Sequence, residues 1–215
     1  MLGSWFMKKL LGFIVLGLLW CSVVFGETYK TGQEVEGQIF FSKKVKIDLP
    51  EGKWIIAARQ LYNYHGLNLE EYILVKTENN EFLEGVRVGQ FQLAGIVEAR
   101  INTALYEILF KNKYDGCYER PEYFLIEFYA KGNTHNCFWV VHEEVDKILN
   151  NPDDPALRGG NRLLKKWIKD NSIKLPKIIL GSDHSYFSRL TGGTWFIVGY
   201  SANPKIFDAP KNKFY

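Results

Sequence analysis

The sequence predicts an α+β domain: a mostly antiparallel sheet of meanders and hairpins with one major amphipathic helix packed on it. Three observations carry that expectation. Short apolar segments alternate with period two over much of the chain, as in Val45, Ile47 and Leu49 around Lys46 and Asp48. Turn signals separate them, among them Pro50-Glu51-Gly52, Asn79-Asn80, Lys131-Gly132-Asn133 and Gly192-Gly193. A single long stretch, residues 156–171, has helical rather than strand periodicity, with Leu157, Leu163, Leu164, Trp167 and Ile168 on one side.

The elements follow in order. Residues 1–26 read as a cleavable secretory signal peptide: Lys8 and Lys9 precede an apolar run from Leu10 to Phe25, and Val24 and Gly26 stand at −3 and −1 of a cut before Glu27. A retained N-terminal membrane anchor is the alternative, but a spanning helix takes roughly 20 apolar residues and this run is shorter. Met7 is an alternative start to Met1. Residues 27–215 then form a single domain, opening on a polar stretch to residue 36. Residues 45–58 are expected to be a hairpin turning at Pro50-Glu51-Gly52. Tyr72 to Thr77 and residues 82–92 make the next hairpin, through Asn79-Asn80. Residues 93–110 fit strand or helix, with strand preferred. Glu122 to Ala130 and Cys137 to His142 pair as strands, and Asn151 to Pro155 breaks the chain before the helix. Pro176 ends the helical region, and Ile178 to Phe187 and Thr194 to Tyr200 form the last hairpin.

The intact chain carries a formal net charge of +3. Loss of residues 1–26 removes Lys8 and Lys9 and no acid, leaving +1, so no nucleic-acid partner is implied. Export also leaves Cys117 and Cys137 as a pair, and an even pair in an oxidising compartment is a disulfide candidate. Closing that loop of about twenty residues stabilises the fold by roughly 3 kcal/mol in the chain-entropy treatment. The expected location is periplasmic or secreted.

Several constellations bear on function. Arg158, Arg162, Lys165 and Lys169 recur at i, i+4, i+7 and i+11, a basic stripe opposite the apolar side of the helix, extended by Lys174 and Lys177. Such a stripe suits an envelope protein or an anionic lipid or lipopolysaccharide surface, against the plainer reading of a solvated face. His142, Glu144 and Asp146 alternate as weak candidate metal ligands, although the second histidine of a helical zinc site is missing. Asp183-His184 lies between Ser182 and Ser185, but neighbouring strand residues point to opposite faces and no G-x-S-x-G surrounds either serine. Cys137 with His135 or His142 makes a weak nucleophile–base pair. Gly159-Gly160-Asn161 matches no phosphate-binding pattern and reads as a helix start. Aromatic residues such as Trp54, Phe82, Tyr106, Phe110, Phe124, Phe128 and Trp195 fill one sheet face or, alternatively, form a glycan platform.

Together LPEGKW at Leu49 to Trp54, the pair Cys117 and Cys137, Ile173-Lys-Leu-Pro176, and YSANP at Tyr200 to Pro204 resemble uncharacterised exported (periplasmic) proteins of Gram-negative bacteria. In that group a cysteine is followed by an aromatic residue and then a histidine, here Cys137, Phe138 and His142, with Val141 where asparagine is usual. The resemblance implies an exported, disulfide-containing domain and transfers no activity. With no catalytic signature and no cofactor motif, the leading expectation is a non-catalytic binding module of the cell envelope. The alternatives are a metal- or histidine-dependent enzyme near His142 and Glu144, and a glycan or small-ligand binder.

Overall fold

A computed structural model describes residues 29–40, 46–64, 67–93, 123–130, 134–150, 158–188 and 194–207. Among the described residues eight strands form one sheet: β1 (Glu34–Phe40), β2 (Lys46–Tyr64), β3 (Leu67–Glu78), β4 (Glu81–Leu93), β5 (Tyr123–Ala130), β6 (Thr134–Glu144), β7 (Ile178–Ser188) and β8 (Thr194–Ala202). Their spatial order is β1-β2-β3-β4-β8-β7-β6-β5. All pairs are antiparallel, so two four-stranded meanders meet at β4 and β8. The helices among the described residues are short: α1 (Val145–Asn150), α2 (Arg158–Asp170) and a 3-10 turn at Pro204–Phe207.

These proportions correct the expected α+β class. The described chain is predominantly β, and its helical part is two short helices rather than one major helix covering a sheet. The cause lies in lengths that local patterning underestimates. β2 has 19 residues and β4 has 13, because pairing on both sides carries each strand through positions where its own alternation fades. The segments 93–110 and 1–26, with the signal-peptide reading, lie largely or wholly outside the described residues. Among the described residues no helix is long and apolar enough to cross a membrane.

The Pro50-Glu51-Gly52 segment also departs from expectation. It bulges within β2 instead of turning a hairpin. β1 runs beside both halves of β2, with Glu36 opposite Lys53 and Gln38 opposite Asp48. Gly37 and Gly52 take φ of +73° and +105°, a left-handed backbone that glycine alone enters at little cost, and they absorb the mismatch. The Trp54 indole N–H donates to the Pro50 carbonyl at 2.8 Å and holds the bulge closed. The Asn79-Asn80 turn forms as expected. Both residues have positive φ, 49° and 62°, and Glu78 pairs with Glu81 across a two-residue loop.

The two sheet faces bury different clusters. On the first face Trp54, Ile56, Tyr72, Leu74, Val86 and Val88 pack with Tyr29, Ile39 and Leu49. On the second, Ala57, Val75, Phe82 and Ile179 pack with Val145 of α1 and Trp167 of α2, flanked by Leu164 and Ile168. Each large apolar side chain buried this way contributes about 1.5–3 kcal/mol.

Polar joints fix the helices. Asn161 Nδ2 donates to the Ile148 carbonyl at 3.0 Å, satisfying an acceptor at the end of α1. α2 ends in a Schellman motif: Ser172 takes φ of 53°, Ile173 N–H donates to the Ile168 carbonyl, and Ser172 N–H to that of Lys169. Lys174 then bridges in parallel to Glu81. Asn203 is buried and binds β4 twice, through Nδ2 to the Phe82 carbonyl at 3.0 Å and through its backbone N–H to Leu83 at 2.8 Å. The described motifs behind the resemblance, LPEGKW, Ile173 to Pro176 and YSANP, are thus joints of the fold.

Candidate functional site

α2 has two distinct sides. Leu164, Trp167 and Ile168 turn toward the sheet, whereas Arg162, Lys165, Lys166 and Lys169 are exposed, followed by exposed Lys174 and Lys177. The side chain of Arg158 lies outside the described residues. Lys165 Nζ donates to Asn150 Oδ1 at 2.5 Å, and Lys166 pairs with Asp170 one turn on. Among the described residues Arg162, Lys165, Lys169, Lys174 and Lys177 form no ion pair within 4.0 Å. The described part of the expected stripe, Arg162, Lys165 and Lys169, is therefore exposed and without an ion pair, and exposed Lys174 and Lys177 follow it, Lys177 also acting on Glu144.

The metal candidates do not converge. His142 and Glu144 alternate on β6, and Asp146 stands exposed on α1; no cluster of three metal-capable side chains occurs among the described residues. Glu144 accepts a hydrogen bond from Lys147 Nζ at 2.9 Å. That bond and charge, with Lys177 adding, hold its carboxyl below the usual range.

The serine–histidine elements also separate. Asp183 and His184 face opposite sides of β7. His184 stacks edge-on against Phe138 and Tyr186, with centroids 5.8 and 6.4 Å away. Ser185 is buried and accepts the Trp195 indole N–H at 2.8 Å, and Ser182 Oγ donates to the Tyr200 carbonyl. Cys137 is fully buried and in register with Ser185; it is the only cysteine among the described residues, Cys117 lying outside them. Trp54 and Phe82 belong to the cores of opposite faces and form no shared platform.

Two polar groupings emerge that sequence reasoning missed. On the helix face, Glu71 has a side chain 3 % exposed and accepts bonds from Gln60 Nε2 and from Arg87 Nε at 2.5 Å. The first turn of α2 sits directly over it. A Cβ built on Gly160 would fall on Glu71 Oε2, and would lie 3.1 Å from Gln60 Nε2. A carboxylate end normally yields, but this one is held by two donors. Gly160→Ala is expected to lower stability by about 0.5–2 kcal/mol in urea unfolding: a charged hydrogen bond worth about 1.5–3 kcal/mol is disturbed, less about 1 kcal/mol gained in helix propensity. A rise in stability would show that α2 does not rest on Glu71.

On the first face, Arg59, Glu70 and Tyr72 interlock. Tyr72 donates to Glu70 Oε1 at 2.7 Å, Arg59 Nη2 reaches the same oxygen at 3.2 Å, and Arg59 Nε donates to the Tyr72 hydroxyl at 3.1 Å. Burial and the Glu70 carboxylate push the Tyr72 phenol up to about 12 against the opposing effect of Arg59. Burial alone would lower the Arg59 guanidinium, but Tyr72 and Glu70 outweigh it and raise it. Beside Glu70 in register stands Gln90, 4 % exposed, whose Oε1 is buried without a hydrogen-bond partner. Farther along, burial and the bond to Glu84 at 2.6 Å raise the Tyr200 phenol well above its ordinary value.

No protein-family model, no curated protein and no solved structure matches the chain.

Proposed function

We propose that the chain is an exported, non-catalytic binding module that meets an anionic lipid surface of the cell envelope through the cationic face of α2. The observation that carries this reading is the outward row of Arg162, Lys165 and Lys169, continued by Lys174 and Lys177, with no carboxylate paired to any of them among the described residues. The opposite side of the helix is committed to the sheet, so this row is left for a partner. A cation near an anionic bilayer contributes about 1 kcal/mol. Export rests on the signal-peptide reading, and a bridge from Cys137 to Cys117 belongs to the same proposal, since it requires an oxidising compartment.

The test uses the exported protein with vesicles of phosphatidylcholine alone or mixed with phosphatidylglycerol. Binding is expected only to the mixed vesicles. The double substitution Arg162→Gln and Lys169→Gln is expected to weaken it by about 2 kcal/mol, about 30-fold. Equal binding to both vesicle types, or unchanged binding by the variant, would overturn the reading.

A further inference from the structure

We infer a second binding site, for a neutral polyhydroxylated ligand of saccharide type, on the first sheet face around Gln90, Glu70 and Phe196. It lies on the side of the sheet away from α2 and does not depend on the cationic face. The strongest observation is Gln90 itself. A buried amide oxygen without a donor costs roughly 1–3 kcal/mol, so a position like this calls for a partner that the described chain does not supply.

The register defines what surrounds it. Glu70 pairs with Gln90 across β3 and β4, and Gln90 pairs with Phe196 across β4 and β8, so the three side chains stand in one row on one face. Tyr186 continues the row opposite Phe196 on β7. At the other end the Arg59 and Glu70 side chains are 25 % and 27 % exposed, while Gln90 is 4 % exposed. The row therefore runs from partly exposed side chains to a buried acceptor.

The chemistry selects the ligand. Both Tyr72 and Arg59 bind Glu70 through Oε1, and among the described residues Oε2 accepts no hydrogen bond. Two neighbouring acceptors, Gln90 Oε1 and Glu70 Oε2, thus await donors. Vicinal hydroxyls supply paired donors, and the C–H face of a sugar ring suits the aromatic surface of Phe196 and Tyr186. A cationic ligand is disfavoured, because the Arg59 guanidinium already neutralises Glu70 and would repel a second cation.

The experiment is saturation-transfer NMR on the exported protein with maltose, cellobiose and lactose, with choline as the cationic comparison. At least one disaccharide is expected to receive saturation. Gln90→Met should weaken that binding at least tenfold while leaving the thermal midpoint unchanged or raised, because an unpaired buried acceptor is removed. Phe196→Leu should weaken it as well. Saturation of choline alone, or of no probe, would overturn the inference. So would disaccharide binding indifferent to Gln90→Met. A lowered midpoint for Gln90→Met with no disaccharide bound would assign the Gln90 oxygen to a structural water instead.

Discussion

Replacing Arg87 by alanine is expected to lower the unfolding free energy by about 3–5 kcal/mol. Arg87 Nε donates to Glu71, whose side chain is 3 % exposed and whose remaining described partner is Gln60. Removing the cation leaves a buried carboxylate with its charge uncompensated, and the penalty is that of the stranded charge more than of the lost bond. The double variant Arg87→Ala with Glu71→Gln should therefore recover a large part of the loss, since the charge is removed together with its partner. Urea unfolding of both variants measures this. A single variant costing under about 1 kcal/mol, or a double variant no more stable than the single, would show that the pair is not a buried ion pair in solution.

Trp54→Ala is expected to cost a similar amount, about 3–5 kcal/mol. Trp54 is fully buried at the centre of the first-face cluster, its indole N–H closes the Pro50 bulge, and the Lys76 ammonium lies 5.6 Å from its ring centroid. Lys76 in turn pairs with Glu84 at 2.8 Å, which accepts the Tyr200 hydroxyl. Loss of the ring opens a cavity and unseats the network above it. Trp54→Phe keeps most of the ring and gives up the hydrogen bond, so it should cost much less than alanine. Equal losses for the two would place the energy in the N–H bond rather than in packing.

What the sequence made legible divides by range. Local signals agree with the fold: the Asn79-Asn80 turn, the strands from β6 to β8, and the end of α2 before Pro176 follow from φ preferences and short-period alternation that act within a few residues. Long-range pairing did not show. Pro50-Glu51-Gly52 has turn composition, yet β1 pairs along both halves of β2 and converts the turn into a bulge. The fold class departs from the α+β expectation for the same reason: strand length in β2 and β4 is set by neighbours on both sides. At the candidate sites, the exposed stripe on α2 was legible because helical spacing is local. The Gln60, Glu71 and Arg87 group was not, nor was the row from Arg59 to Gln90, because each joins residues from separate strands whose register no local pattern encodes. The adjacent acids Glu70 and Glu71 inside an apolar run were the available sign. They face opposite sides of the sheet, and each answers a different arginine.

The most direct test of the cationic-face reading is the salt dependence of vesicle binding by the exported protein. Exposed charges are screened over about 8 Å at physiological ionic strength. Partitioning onto phosphatidylglycerol-containing vesicles is therefore predicted to fall steeply with added salt, and more shallowly for the Arg162→Gln, Lys169→Gln variant. Binding that is insensitive to salt, with the same slope in the variant, would contradict it.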